Sequence, residues 1–181
     1  NQAEHHLNDV IMQQLFQAAS SPGGARPKIV LEYDQQYWIA KLPSNKDQMD
    51  VVRIEAATLD LAKQSGIIVP DFFVTEVIGR PILLVKRFDI TYLEHGKTGR
   101  NHVISLQTLL GLDGYYTAGY SDIADIIRTL SDIPERDMEL IYKQMLFNAM
   151  IANTDDHLKN FSMYRTNKGW ELTPAYDLLP D

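Results

Sequence analysis

Cysteine is absent from the 181 residues, which excludes disulfides and thiolate-bound zinc and fits a reducing, cytoplasmic setting. Long apolar runs are missing as well. No stretch of about eighteen apolar residues occurs, so no transmembrane helix is expected. The opening NQAEHHLND is polar and acidic, without the apolar core of a signal peptide. Positive charge is scarce: Lys and Arg number 17 against 24 Asp and Glu, a formal net charge of −7. That balance argues against a general nucleic-acid surface and leaves room for a local basic pocket. Neither an internal repeat nor a low-complexity segment is found. The chain does not begin with Met and stops soon after Asp177, so a fragment of a longer protein is expected.

The residues that are present give an ordered series of elements. Leu7, Val10, Ile11, Leu15 and Ala18 follow helical spacing and predict an amphipathic helix over 4–19. SSPGGARPK, residues 20–28, reads as a loop. IVLEY and YWIAKL, either side of Asp34-Gln35-Gln36, predict a hairpin. A helix is predicted over 51–65, with Asp50 as N-cap and Gly66 as its stop. DFFVTEV and PILLVKRF flank Ile78-Gly79-Arg80 as a second strand pair. TYLEHGKTGRNH reads as polar loop, and ADIIRTL as a short helix. A longer helix is predicted over 135–152, with Met138, Ile141, Tyr142, Met145 and Ala149 on one face and Pro134 near its start. FSMYR and WELTP predict a last hairpin across Asn167-Lys168-Gly169. The first half is therefore strand-rich and the second mainly helical.

Two stretches carry chemistry. Asn153-Thr-Asp-Asp-His-Leu-Lys-Asn160 crowds carboxylates, amides and an imidazole into one loop after the long helix, and Pro174-Ala-Tyr-Asp-Leu-Leu-Pro180 sets Asp177 among apolar residues. Phosphoryl transfer requires phosphate positioning, metal ions and an oriented nucleophile. Protein kinases supply these in a set order: a Gly-rich loop, a strand Lys, a helix Glu, an Asp-x-x-x-x-Asn loop and a later metal-binding Asp. This chain offers each in that order. Gly23, Gly24 and Ala25 would let backbone N–H groups approach phosphates; a plain turn is the competing reading. Lys41 ends an apolar strand and would hold phosphates, against a snorkelling surface Lys. Glu55 lies in the next helix and would pair with Lys41, against a solvated helix face. Asp155 and Asn160 have the catalytic-loop spacing, so Asp155 would accept the substrate proton while Asn160 and Asp177 bind Mg²⁺. A metal-free polar turn is the alternative. His157 is expected to be a buried hydrogen-bonding residue that shapes the loop, rather than a zinc ligand.

Taken together, Ser21-Pro-Gly-Gly-Ala-Arg-Pro-Lys28, Ile39-Ala-Lys-Leu-Pro43, Lys86-Arg-Phe-Asp89, the 153–160 loop and Thr173-Pro-Ala-Tyr-Asp177 resemble the successive signatures of HipA-type kinases, toxin components of bacterial toxin–antitoxin pairs. The resemblance covers nearly the whole chain. It implies an α+β, protein-kinase-like fold of two lobes, with a strand-rich N-lobe over 1–89 and the start of a helical C-lobe over 90–181, truncated after the metal-binding Asp. It implies a serine/threonine protein kinase using ATP and Mg²⁺. Asp155 would be the catalytic base, and Asn160 and Asp177 the metal ligands. Gly23, Gly24, Ala25, Lys41, Glu55, His157 and Lys159 would serve the nucleotide and its phosphates. Lys86, Arg87 and Phe88 would form the adenine hinge, and Ser21, next to Ser20, the autophosphorylated serine. The resemblance further implies a protein substrate such as a translation component and a DNA-binding antitoxin partner, with no direct nucleic-acid or membrane contact. The family's additional N-terminal subdomain and large helical C-terminal lobe are not expected within this chain. Two other readings remain at this level: a small-molecule kinase of the aminoglycoside-phosphotransferase type, and a nucleotide-binding pseudokinase that serves as an interaction module.

Overall fold

A computed structural model describes residues 9, 11–12, 27–44, 47–112 and 119–180. The chain divides into two compact units, Asn1–Ala57 with Pro70–Arg87, and Thr58–Val69 with Phe88–Asp181.

The first unit is built on an antiparallel sheet of order β1-β2-β4-β3, formed by β1 (Lys28–Tyr33), β2 (Gln36–Lys41), β3 (Phe72–Val77) and β4 (Arg80–Lys86). Both predicted hairpins are present. Asp34 and Gln35 close the first with positive φ angles of 52° and 58°, and Ile78 and Gly79 close the second at 51° and 67°. Turns of this hand match the twist of the flanking strands. Alternation in β1 turns Ile29 and Leu31 inward, where they join Ile11, Trp38, Ala40, Val77, Ile82 and Leu84 in one core. The central strand β4 is buried continuously from Ile82 to Val85, as expected of a strand paired on both sides. Helix α1 (Val51–Gln64) begins where predicted: the Asp50 Oδ1 accepts from the Arg53 backbone N–H at 3.0 Å. It stops at Gly66, whose φ of +79° turns the chain so that the Ile67 N–H reaches the Ala62 carbonyl at 3.0 Å. Its residues through Ala57 belong to the first unit and the rest to the second.

The second unit holds a hairpin of β5 (Ile90–Tyr92) and β6 (Thr98–Arg100), where the sequence predicts loop. These strands have three residues each, so they leave little periodic signal. A second antiparallel sheet has the order β7-β8-β9, from β7 (Val103–Ser105), β8 (Ser162–Thr166) and β9 (Gly169–Leu172). Its helices are α2 (Leu106–Leu109), α3 (Tyr120–Leu130) and α4 (Pro134–Met150). Leu106, Ile123, Ile127, Ile141, Phe161, Met163 and Leu172 form the core. Pro134 opens α4 as predicted, but the buried face differs from the one expected. Asp137, Ile141, Gln144, Phe147 and Asn148 are buried, whereas Tyr142 is 58% exposed and Ala149 is exposed. The helix turns a mixed polar stripe inward, where Asp137 Oδ2 accepts from Ser131 and the Leu172 N–H and where Asn148 bonds Tyr120 and Asn153. Among the described residues no helix is long and apolar enough to cross a membrane.

Candidate active site

In the first unit, β2 ends on Lys41 and α1 presents Glu55. The Lys41 ammonium and the Glu55 Oε1 form an ion pair whose side chains are 11% and 10% exposed. The predicted pairing is therefore present, and it is buried rather than spread on a surface. Two charges taken from water in this way are tolerable only when paired. The segment after β4 is held by its backbone: the Lys86 N–H donates to the Asp71 carbonyl at 2.8 Å and the Arg87 N–H to the Tyr37 carbonyl at 2.9 Å. The Lys86 side chain lies 3.4 Å from Asp71 Oδ2.

In the second unit, the polar loop follows α4 directly. The Asp155 side chain is 80% exposed, and its backbone carbonyl closes the loop on itself. That carbonyl accepts from the His157 N–H at 3.0 Å and from the Asn160 Nδ2 at 2.9 Å. Asn160 thus commits its amide nitrogen locally, which orients its amide oxygen as the remaining acceptor. Residues Leu158–Asn160 form a short 3-10 turn. The neighbouring carboxylates differ sharply. Asp156 Oδ2 accepts a 2.5 Å hydrogen bond from the Tyr120 hydroxyl, and Asp156 Oδ1 is buried with no partner among the described residues. Of the two, only Asp155 presents its carboxylate to the surface. His157 corrects the expectation of burial. Its ring is 49% exposed, with Nε2 3.4 Å from Asp155 Oδ1, because the apolar Leu158 beside it packs onto the core instead.

Asp177 is set by its neighbours. Ala175 and Leu178 are buried, and the Ala175 N–H donates to the Ile68 carbonyl at 2.8 Å. Asp177 itself has φ of 53°, in the left-handed region that Asp tolerates better than most residues. The preceding Tyr176 hydroxyl shares a 2.7 Å hydrogen bond with Ser162 Oγ and donates to the Lys159 carbonyl at 3.1 Å. Its ring stacks on Phe88 at 5.8 Å and 25°. Burial, and next the Asp177 charge, push the Tyr176 phenol up, against the Ser162 hydrogen bond that lowers it. Tyr176 therefore ties the backbone beside Asp177 to the backbone beside Asn160.

Ser20, Ser21, Gly23, Gly24 and Ala25 lie outside the described residues. Phe88 sits among aromatic rings, edge-on to Tyr164 at 6.3 Å as well as stacked on Tyr176. Lys159 is exposed and contributes its carbonyl to Tyr176. No cluster of three His, Asp or Glu side chains suited to a metal occurs among the described residues. A Mg²⁺ ion that keeps waters and phosphate oxygens needs only one or two protein oxygens, and the hard oxygens of Asn160 and Asp177 fit that requirement. Sequence reading gave no role to Tyr120, Asn148 or Asp156. Asn148 was findable, since Asp137, Ile141, Gln144 and Asn148 share one helical face. Tyr120 was not, being 36 residues from Asp156.

The model of the HipA-like C-terminal domain matches residues 20–181. The chain belongs to this family. Among curated relatives, "Putative kinase Y4mE" of Sinorhizobium fredii (strain NBRC 101917 / NGR234) is 29% identical over 147 residues, covering 78% of this chain and 34% of that protein. "Putative kinase Y4dM" of the same strain is 30% identical over 158 residues, covering 78% and 37%. The chain thus spans about a third of the length of these relatives. Among solved structures, HipA from the Shewanella oneidensis MR-1 complex of HipA, HipB and operator DNA aligns over 95% of this chain and 49% of its own, with TM-score 0.78 and 20% identity. The Helicobacter pylori proinflammatory kinase CtkA aligns over 83% and 54%, with TM-score 0.64 and 16% identity. The HipA-type resemblance seen in the motifs is borne out. The mixed α/β architecture with antiparallel sheets is kinase-like.

Proposed function

We propose that this chain carries the phosphoryl-transfer residues of an ATP- and Mg²⁺-dependent serine/threonine protein kinase of the HipA type. The observation that carries this reading is the tie made by Tyr176, which brings the segment of Asp177 to that of Asn160. The buried Lys41–Glu55 pair supports it. In this reading Lys41 binds ATP phosphates and Glu55 holds the Lys41 ammonium in place. Asn160 and Asp177 are the residues that would hold Mg²⁺, which supplies neutralisation of phosphate charge when bound. Asp155 accepts the hydroxyl proton as the substrate oxygen bonds to the γ-phosphorus and the bond to the ADP oxygen breaks. Gly23, Gly24 and Ala25 are assigned to the phosphates, with His157 and Lys159 beside them. Lys86, Arg87 and Phe88 are assigned to the adenine. The lobes are taken as 1–89 and 90–181. Family membership also supports Ser21 as an autophosphorylation site, a translation component as the protein substrate, and a DNA-binding antitoxin as partner.

Calorimetry on the full-length protein tests the metal assignment. ATP is expected to bind far more tightly with Mg²⁺ than without, and Asp177→Asn to remove most of that difference. Equal ATP affinity with and without Mg²⁺ in the wild type would show that Asn160 and Asp177 are not metal ligands.

A further inference from the structure

We infer that Asp156 is a positioning residue for the loop that bears Asp155 and Asn160, acting through Tyr120 and Asn148; this rests on the kinase reading above. Tyr120 is the first residue of α3, and its hydroxyl donates to Asp156 Oδ2 at 2.5 Å. The same hydroxyl accepts from Asn148 Nδ2 at 3.3 Å. Asn148 is buried in the last turns of α4, and its Oδ1 accepts from Asn153 Nδ2 at 3.4 Å. Its backbone carbonyl also accepts from the Asn153 N–H at 3.0 Å. The start of the loop is thus fixed to α4 and its middle to α3. The Tyr120 ring, in turn, packs edge-on against Phe161 at 5.7 Å, and Phe161 directly follows Asn160. One side chain therefore grips the loop on both sides of residues 157–160, by its hydroxyl at Asp156 and by its ring at Phe161.

The chemistry of Asp156 points the same way. A base must offer its carboxylate to the substrate hydroxyl within hydrogen-bond reach. The Asp156 oxygen that has a donor is engaged by Tyr120, and the other is buried. The Tyr120 hydroxyl is a donor that offsets the desolvation of this carboxylate. Without it, a buried charge would be left uncompensated and the loop would relax to solvate it. Small displacements of a catalytic group cost rate more than affinity, on the order of 10²-fold for about 1 Å. Asp156 and Tyr120 contribute to the geometry of Asp155 without touching the reacting atoms.

The test measures the maximal rate and the half-saturating ATP concentration of ATP turnover by the full-length protein. Tyr120→Phe, Asp156→Ala, Asp156→Asn and Asp155→Ala are compared with wild type. Asn keeps an oxygen that can accept from Tyr120. Tyr120→Phe and Asp156→Ala are expected to lower the maximal rate by about 10-fold or more, with half-saturation within about twofold. Asp156→Asn should restore most of the rate. The double variant Tyr120→Phe with Asp156→Ala should be no slower than the worse single one, since both remove the same bond. Full rate in Asp156→Ala and Tyr120→Phe, beside an inactive Asp155→Ala, overturns the positioning role and leaves the kinase reading standing. Asp156→Asn as slow as Asp155→Ala also overturns it, by making Asp156 a direct participant. Wild-type turnover in Asp155→Ala sinks the kinase assignment itself.

Discussion

Lys41 and Glu55 form a pair in which each charge depends on the other. Both side chains are about nine-tenths buried, so removing Glu55 takes its carboxylate away from an ammonium held largely out of water. Breaking such a pair costs about 3–5 kcal/mol, more than the intact pair contributes relative to apolar residues. Glu55→Ala is therefore expected to lower stability on that order and to weaken ATP binding, as read by denaturant unfolding and by nucleotide titration. A loss under about 1 kcal/mol would mean that the pair is effectively solvated. These two residues were legible in the sequence because kinase chemistry fixes their order: a Lys at a strand end, then a Glu inside the next helix. The Asp155–Asn160 spacing is visible in the sequence, and the structure joins the two through the Asn160 Nδ2 bond to the Asp155 carbonyl at 2.9 Å. Asp156 was not legible in the same way. It stands beside Asp155 with the same side chain, and only the hydroxyl of Tyr120, far off in the chain, distinguishes a held carboxylate from a presented one.

At the scale of elements, α4 organises the second unit through polar groups. Asp137 is fully buried, and its Oδ2 accepts from Ser131 Oγ at 2.7 Å and from the Leu172 N–H at 2.8 Å. It thereby fastens α4 to β9, the strand that leads toward Asp177. Asp137→Ala strands a buried backbone N–H and is expected to cost about 1–3 kcal/mol in urea unfolding. Asp137→Asn retains an acceptor and should cost less; equal losses would assign the effect to the charge instead. The inward stripe of α4 was misread because apolar spacing alone pointed to Tyr142 and Ala149, whereas hydrogen bonds to other elements decide which face is buried. The β5–β6 hairpin was missed for a different reason. Polar strands of three residues carry no usable alternation. The longer hairpins of the first unit were legible, since their strands alternate and their turns hold Asp, Gln or Gly. Helix α3 supplies a pH-dependent contact. Burial first, and the hydrogen bond to Asp156 next, push the Tyr120 phenol above its ordinary 10.0. Above that ordinary value the unfolded chain has lost the proton that the folded chain keeps, so stability falls as pH rises. The contribution is complete below about pH 10. Tyr120→Phe should flatten the decline of melting temperature above that pH, with Tyr164 and Tyr176, also raised mainly by burial, supplying what remains. An unchanged decline would show that Tyr120 titrates normally.

At the scale of the whole molecule, the proposed reading assigns each unit a distinct part of phosphoryl transfer: the buried Lys41–Glu55 pair in one, and the Asp155, Asn160 and Asp177 segments in the other. Family membership and a kinase-like fold agree with that division of chemistry. With a net charge of −7, the proposed reading leaves the binding of a polyanionic nucleotide to local groups, Lys41 and Mg²⁺ above all. Ser21 adds a regulatory expectation. A phosphate there carries roughly −1.5 to −2 charges and would repel ATP phosphates, so ATP affinity should fall after autophosphorylation; unchanged affinity with Ser21 modified would remove the switch. The most direct test of the central claim is a single-turnover assay of the full-length protein with γ-labelled ATP and Mg²⁺, comparing wild type with Asp155→Ala under saturating nucleotide. The account predicts transfer of label to protein hydroxyls by the wild type and a fall of about 10²–10⁴-fold in Asp155→Ala, with ATP binding nearly intact. Equal transfer rates in the two proteins would contradict it.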